Sequence, residues 1–306
     1  MISNAAMLLT KFFQYYQSWG IEDLVGRSVR TDDAMGKSET FVRRSWSPGY
    51  DEAVRKLRDP LDEESRGVVD KVLRRHQYVY THNVLKHSEV YDAEERRHRR
   101  ILRKVLPAMG AQLGLLPHLT EASVFYYHHG FRYTTLPTDW PKRFAGRVIL
   151  DVGAAVGDSA FVFQRHYEPS EIHSFEPQQT RMDHLRGVVK QHGLNKVRLA
   201  QCALGPEAGT WADGSTVRTL DEYVATSRLD IGLIKMDVEG AEEMVLRGAK
   251  ATLQQQKPLL VVSMYHDGNQ FFDLLPLIQS IQPDYRFAVR KIDDRSPVLE
   301  TTLYAY

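Results

Sequence analysis

Short apolar runs alternate with helical segments from Arg147 onward, and this alternation restricts the fold more than any other feature of the chain. The runs predicted as strands are Arg147–Val152, Glu171–Glu176, Val197–Leu204, Ile231–Asp237 and Pro258–Tyr265. The segments predicted as helices between and after them are Gly157–His166, Gln178–His192, Ala241–Leu253 and Gln270–Ile281. Strands that alternate with helices predict an α/β fold with a parallel sheet, right-handed crossovers and helices on both faces.

The last two β-rich runs depart from this rhythm. Tyr285–Ile292 and Glu300–Tyr306 are separated by only seven residues, 293–299. Because no crossover helix fits in so short a connection, the two runs predict an antiparallel hairpin. The sheet is therefore expected to be Rossmann-like, mostly parallel, and closed by an antiparallel terminal pair.

Residues 1–120 have a helical and irregular pattern, and we expect them to form an N-terminal helical region. Acidic residues within Leu61–Glu64 suit the first turn of a helix, and Ala93–Leu106 is predicted as a second helix that ends before Pro107. Residues 20–60 are rich in Gly, Ser, Asp and Arg, which favours a loop. The predicted division is a region 1–120 that acts as a substrate cap or in oligomerisation, and a second domain 121–306.

Composition and charge exclude several classes of protein. The formal net charge of +1 gives no strong field for nucleic acid or an anionic membrane. Met1–Trp19 lacks the features of a signal peptide, and the apolar run Leu259–Met264 is too short to span a bilayer. Cys202 is the single cysteine, so no internal disulfide can form. We therefore expect a cytoplasmic protein that binds neither nucleic acid nor a membrane.

The loop after the first predicted strand carries the strongest local pattern. Gly153 and Gly157 have the spacing G-x-x-x-G rather than the dinucleotide pattern G-x-G-x-x-G, and Ala154 or Ala155 stands where a pyrophosphate would need a second glycine. Asp158 lies at the start of the next helix, where its carboxylate would repel a pyrophosphate but could hold an amino group. The loop is therefore either a plain tight turn or the binding loop of an amino-acid-like ligand.

Glu176 favours the ligand over the plain turn. It ends the second strand, before Pro177 and 25 positions after Asp151, where an acidic side chain accepts hydrogen bonds from both ribose hydroxyls. A solvated strand-end carboxylate is the alternative. Together with the loop, Glu176 indicates a nucleoside ligand without a pyrophosphate, and S-adenosylmethionine (SAM) has this chemistry. The turn at Cys202–Leu204 is then expected beside the adenine.

The ends of the fourth and fifth strands carry the candidate catalytic residues. Asp237 and Glu239 alternate along an extended segment and point to one face, whereas Glu242 and Glu243 suit the first turn of the next helix. His266 is expected to face the same crevice, and either His266 or Glu239 is suited to removing a proton near neutral pH. A polar strand end without function is the alternative for His266. A divalent metal held by Asp237, Glu239 and His266 is a less favoured hypothesis.

Three further features are predicted to be mainly structural. His128 and His129 lie in an aromatic segment that could form a lip touching the acceptor, but a packing segment that joins the two halves is favoured. The charged segment Glu94–Lys104 could grip an anion or nucleic acid, but a solvated helix face is favoured. Trp211 is predicted to mark a turn.

Over roughly residues 124–306 the chain resembles the FkbM-type SAM-dependent methyltransferases. The matching segments are Asp151–Ala154, Gly157–Ser159, Phe175–Pro177, Ala203–Gly205, Thr219–Tyr223, Ile234–Glu242 and Glu300–Tyr304. The resemblance implies a class I methyltransferase sheet, a SAM pocket lined by Asp151, Gly153, Glu176 and Cys202–Leu204, and acceptors that are hydroxyl groups of sugars and natural products. The family often has Asn where this chain has Ala155, so a polar contact of the loop is missing.

The leading prediction is a SAM-dependent methyltransferase that O-methylates a sugar or another small hydroxylated metabolite. A homodimer is compatible with the sequence. The residues predicted to bind SAM are Asp151, Gly153, Ala154, Gly157, Asp158, Ser159, Glu176, Pro177, Cys202, Ala203 and Leu204. The predicted catalytic residues are Asp237, Glu239 and His266. The alternatives are a non-catalytic protein that binds SAM or a nucleoside, and, less favoured, a nicotinamide-dependent oxidoreductase.

Overall fold

A seven-stranded sheet forms the centre of the molecule, with strand order β3-β2-β1-β7-β8-β10-β9. The computed structural model describes residues 32–82, 90–115, 120–211, 214–293 and 296–306, and the predictions for Met1–Trp19 and residues 20–31 lie outside them. The strands of the main sheet are β1 (Val148–Val152), β2 (Ile172–Phe175), β3 (Val197–Ala200), β7 (Ile231–Met236), β8 (Leu259–Ser263), β9 (Phe287–Lys291) and β10 (Thr301–Ala305). The short strands β4 (Ala203–Leu204), β5 (Gly209–Thr210) and β6 (Thr216–Arg218) form a separate sheet.

The α-helices of the described ranges lie before, between and after these strands. The helices before the sheet are α1 (Asp32–Ser45), α2 (Tyr50–Arg58), α3 (Glu63–His82), α4 (Ala93–Gly110), α5 (Ala122–Phe125) and α6 (Trp140–Phe144). Those within it are α7 (Asp158–His166), α8 (Gln179–His192), α9 (Leu220–Ser227), α10 (Glu242–Arg247), α11 (Lys250–Gln256) and α12 (Gly268–Ile281).

The predicted sheet is confirmed in its class and in its terminal hairpin. Strands β3, β2, β1, β7 and β8 are parallel, and β10 pairs antiparallel with both β8 and β9. Every residue of β1, β7 and β8 is buried. Parallel strands covered on both faces are continuous apolar runs, which is why the sequence reveals them. The fold is therefore the expected Rossmann-like α/β sheet.

Three predictions about local structure are wrong. Residues 32–58 form two helices, α1 and α2, rather than a loop. Helix α4 continues through Pro107 to Gly110, since a residue before proline is disfavoured in a helix but not forbidden there. The predicted third strand divides, because the chain turns at Cys202 and the next two residues pair with β6.

The predicted helix 241–253 is also divided, into α10 and α11. Asp221, at the start of α9, accepts hydrogen bonds from the backbone N–H groups of Ala251 (2.9 Å) and Thr252 (2.7 Å). These N–H groups belong to the first turn of α11, where they have no partner within the helix. A carboxylate distant in sequence therefore caps a new helix start, which periodicity alone does not reveal.

The N-terminal helices share a core with the rest of the molecule. Leu57 of α2 and Val69 and Val72 of α3 lie in the same apolar cluster as Leu274 of α12 and Val289 of β9. Apolar side chains of this kind stabilise a fold by leaving water together. Helices α2 and α3 thus share this cluster, whereas Leu102 and Leu106 of α4 lie in a second cluster with Ile149 and Leu233. The division at residue 120 remains a prediction.

Candidate functional site

A cavity of about 600 Å³ opens beside the carboxyl ends of β1, β2, β7 and β8. It lies where the strand order reverses between β1 and β7, which is the usual ligand site of an open α/β sheet. Of the predicted SAM-binding residues, those in its lining are Gly153, Asp158, Ser159, Glu176, Pro177, Cys202, Ala203 and Leu204. Asp151, Ala154 and Gly157 are not among the described lining residues.

The loop after β1 needs glycine at both positions singled out from the sequence. Gly153 has φ +82°, and a Cβ atom there would lie 1.9 Å from the carbonyl oxygen of Asp237. Gly157 has φ +89°, and a Cβ atom there would lie 2.5 Å from Cδ1 of Leu185 on α8. Gly153 thus allows the ends of β1 and β7 to approach each other. Gly157 allows α7 to pack close to α8.

A buried ion pair joins the two strands at the reversal. Lys235 of β7 is the register partner of Asp151 of β1, and its Nζ lies 3.3 Å from Asp151 Oδ1. The same Nζ donates a hydrogen bond of 2.8 Å to the carbonyl oxygen of Gly153. Burial alone would lower the pKa of the Lys235 ammonium, but the carboxylates of Asp151, Asp237 and Asp158 outweigh it and raise that pKa. Lys235 is therefore charged, and it holds the loop.

Glu176 lies at the end of β2 and faces the cavity as predicted, with only 2% of its surface exposed. Its Oε2 accepts a hydrogen bond of 3.2 Å from the N–H of Ala155, and its Oε1 one of 2.9 Å from the N–H of Gln178. Burial raises the pKa of this carboxyl group. Each carboxylate oxygen has a second acceptor site, so the group is able to accept the two hydroxyls of a ribose.

Asp158 and Ser159 begin α7 in the floor of the cavity. The Oδ1 atom of Asp158 accepts a hydrogen bond of 2.9 Å from the N–H of Ser159. Burial raises the pKa of Asp158 to about 6, against the opposing effect of Lys235. The carboxylate is thus ionised at neutral pH, where it is able to hold an ammonium group.

Apolar side chains form the wall expected beside the adenine of a nucleoside. Phe175, Cys202, Ala203, Leu204 and Trp211 all line the cavity near Glu176. Trp211 was predicted only to mark a turn, and its place in the lining depends on the fold rather than on the local sequence. A flat apolar group joined to a diol therefore fits this end of the cavity, which we call the cofactor end.

Asp237, Glu239 and His266 meet at the ends of β7 and β8. His266 Nε2 lies 3.4 Å from Asp237 Oδ1 and 3.5 Å from Glu239 Oε2. Its Nδ1 lies 2.9 Å from Oε1 of Glu242, which is fully buried. Asp237 and Glu239 line the cavity, whereas His266 is not among the described lining residues and lies beside Asp237.

Glu242 has a larger part in this cluster than the sequence indicates. Its Oε1 also accepts a hydrogen bond of 3.0 Å from the N–H of Val238, so it stabilises the turn before α10 as well as contacting the imidazole. Asp237, Glu242 and His266 present ligand atoms within 4.8 Å of one another, a spacing that could hold a metal ion. This trio differs from the predicted one, in which Glu239 took the place of Glu242.

The remaining wall of the cavity comes from three distant segments, and we call it the acceptor end. Its residues are Glu121, Ser123, Val124 and His129 before β1, Ser263 and Tyr265 at the end of β8, and Ile292, Glu300 and Thr302 around the start of β10. Among these residues, the sequence suggests a contact with the acceptor only for His129. Its ring stacks on Phe163 at 5.0 Å, as a packing segment requires, and it also lines the cavity.

Comparison with known proteins gives a consistent picture. Residues 151–288 match the model of the methyltransferase FkbM domain. The crystal structure of methyltransferase FkbM from Methylobacillus flagellatus KT superposes with a TM-score of 0.60 at 22% sequence identity, covering 83% of this chain and 58% of that one. The chain therefore spans less than two thirds of that protein's length.

Two more distant solved structures also match the chain. An rRNA methylase from Streptococcus thermophilus gives a TM-score of 0.40 at 11% identity, covering 55% of this chain and 90% of that one. Fibrillarin from Aeropyrum pernix, in complex with S-adenosyl-L-methionine, gives 0.38 at 15% identity, covering 54% and 68%. No curated protein matches the chain. In the part of the chain that the structure describes, we find no helix with the length and apolar character needed to cross a membrane.

The buried pair generates a prediction about stability. We expect Lys235→Met to lower the free energy of unfolding by about 3–5 kcal/mol, because removing one partner leaves Asp151 as an uncompensated buried charge. Denaturant unfolding at pH 7 measures the change. The double variant Asp151→Asn/Lys235→Met is the control, and it should recover part of the loss because no charge remains. Equal stability of Lys235→Met and the unmodified protein would contradict this role of the pair.

Proposed function

We propose, from the match of residues 151–288 to the methyltransferase FkbM domain, that the protein transfers a methyl group from SAM to a hydroxyl group of a sugar or natural-product metabolite. The observation that carries the proposal is one cavity with two different ends. Glu176 and the Gly153 loop lie at the cofactor end, and Asp237 lines the same cavity at the end of β7, next to that loop. A donor and an acceptor can therefore meet in the same enclosed space.

The cofactor end fits the parts of SAM one by one. Glu176 has free acceptor sites for the ribose hydroxyls, and Cys202, Ala203 and Leu204 offer an apolar surface for the adenine. Asp158 is suited to the α-ammonium group. The first N–H groups of α7 are suited to the carboxylate. When bound, SAM supplies a methyl group that its sulfonium has already activated.

The protein's part in the transfer is to orient the acceptor and to take its proton. Asp237 and Glu239 both line the cavity and lie near His266, and Asp237 is the less exposed of the two. We assign to Asp237 the direct contact with the acceptor hydroxyl. His266 positions that carboxylate and shares with it the proton that leaves the hydroxyl. Glu239 is the second carboxylate within reach of the same imidazole. Holding the reactants in line in an enclosed site accounts for much of such a rate enhancement.

Binding of the cofactor tests the first half of the proposal. We expect calorimetric titration to show binding of SAM and of S-adenosylhomocysteine (SAH) but not of NAD. We expect Glu176→Ala to weaken SAH binding by roughly tenfold or more, since a charged acceptor of two hydrogen bonds is lost. Glu207→Ala, a change on the surface away from the cavity, is the matched control. Binding of NAD in preference to SAM would support the oxidoreductase alternative instead.

Turnover tests the second half. We expect His266→Asn to lower kcat by roughly 10²-fold, because an assisted proton transfer typically contributes that much or more, and to alter the pH–rate profile without changing SAH affinity. The assay is transfer of a labelled methyl group from SAM to a panel of hydroxylated metabolites. Glu243→Gln is the control, since Glu243 pairs with Arg247 outside the described lining. Undiminished turnover of His266→Asn would refute the assignment. SAM binding without turnover on any acceptor would support the non-catalytic alternative.

We propose that the transfer proceeds without a metal ion. Glu242 Oε1 contacts both His266 Nδ1 and the N–H of Val238, so this oxygen and the Nδ1 atom already have partners within the cluster. We therefore expect turnover to stay within about twofold after dialysis against EDTA. A loss that Mg²⁺ or Mn²⁺ restores would show that the Asp237, Glu242 and His266 cluster binds a metal.

A further inference from the structure

Carboxylates outnumber cations in the described lining of the cavity. The carboxylates are Glu121, Asp158, Glu176, Asp237, Glu239 and Glu300, and the cations are Arg181 and Lys235. Lys235 is already engaged by Asp151 and by the carbonyl oxygen of Gly153. Arg181 acts on Glu176, at the cofactor end. The described lining therefore carries an excess of negative charge, and Glu121 and Glu300 place part of it at the acceptor end.

Four of these carboxylates share the cavity lining with one tyrosine. The hydroxyl of Tyr265 donates a hydrogen bond of 3.1 Å to Oε1 of Glu300. Asp237, Glu121 and Glu239 line the same cavity as this pair. A ligand in the cavity therefore meets several carboxylates.

Two other side chains of the acceptor end each have a polar atom without a hydrogen-bond partner among the described residues. Ser123 and His129 are only 3% and 5% exposed, and neither Ser123 Oγ nor His129 Nε2 has a hydrogen-bond partner among the described residues. Burial, with Lys235 and His128, lowers the pKa of His129 well below its ordinary value, so its ring is neutral. Buried polar atoms without partners are rare in proteins. These two therefore indicate a polar ligand at the acceptor end.

Two of the carboxylate residues have unfavourable backbone conformations. Glu239 has φ +55° and Glu300 has φ +59°, a region that residues other than glycine adopt infrequently. Both line the cavity, Glu300 at the acceptor end, and each comes from a different segment of the chain. Unfavourable conformations of this kind concentrate at binding and catalytic sites.

We propose that the acceptor end selects a hydroxylated molecule that carries an amine, such as an amino sugar or aminocyclitol, and excludes phosphorylated and carboxylated acceptors. This inference rests on the proposed function and narrows its substrate class. An ammonium group offers three hydrogen-bond donors, which Glu121 and Glu300 are placed to accept while a neighbouring hydroxyl contacts Asp237. An anionic acceptor meets like charge from the same side chains, and such juxtaposition excludes wrong partners.

Binding to matched probes tests this selection independently of turnover. The probes are glucose, glucosamine and glucuronic acid, titrated by ligand-observed NMR into the SAH-saturated protein. We expect glucosamine to bind roughly tenfold or more tighter than glucose, because hydrogen bonds to charged groups contribute at least that much, and glucuronic acid to bind most weakly. The variant Glu121→Gln/Glu300→Gln should lose the preference for the amine, and Glu207→Gln should keep it. Circular dichroism and SAH titration confirm that each variant is folded.

The outcomes separate this inference from the proposed function. Equal binding of the three probes, preferred binding of the acid, or binding of none overturns the selection for an amine. The selection is also overturned if the double variant keeps the probe preference and binds SAM more weakly with an unchanged SAH affinity. The two carboxylates would then serve the sulfonium of SAM rather than an amine. If the unmodified protein binds neither SAM nor SAH, the proposed function itself fails.

Discussion

The arrangement of the site depends on the buried ion pair between Asp151 and Lys235. The two residues are register partners on β1 and β7, where the strand order of the sheet reverses. Lys235 also bonds the carbonyl oxygen of Gly153, and the N–H of Asp237 bonds that of Val152. A buried pair of this kind gains little stability over apolar residues, because desolvation offsets most of the attraction. Its consequence here is positional: it fixes the glycine loop and Asp237 in relation to each other.

The sequence was sufficient for features whose physical cause is local. Buried parallel strands are continuous apolar runs, so β1, β7 and β8 could be found, and a connection of seven residues permits only a hairpin. Where the cause lies elsewhere in the chain, prediction failed. The cap from Asp221 begins α11, and the helices at residues 32–58 are stabilised by packing on α12 despite a loop-like composition. Neither contact leaves a periodic signal.

The same distinction holds within the site. Gly153, Glu176 and Asp237 could be predicted because each comes at a strand end, and the carboxyl ends of parallel strands meet at one edge of the sheet. Glu242 could be placed on α10 from its position in the helix, but its contact with His266 depends on how α10 packs beside β8. Glu121, Ser123 and Glu300 belong to segments that reach the cavity only through the tertiary fold.

The two ends of the cavity therefore differ in how readily their residues can be substituted. At the cofactor end, Gly153 and Glu176 are tied to the ion pair and to backbone N–H groups, so a substitution there disturbs the sheet as well as the ligand. At the acceptor end, Glu121 precedes β1 and Glu300 precedes β10, and neither belongs to a sheet strand. Residues on such connecting segments are altered without loss of the fold more readily than those within it. Under the proposed function, the acceptor is thus selected by side chains on connecting segments, while the geometry of methyl transfer depends on residues tied to the Asp151–Lys235 pair.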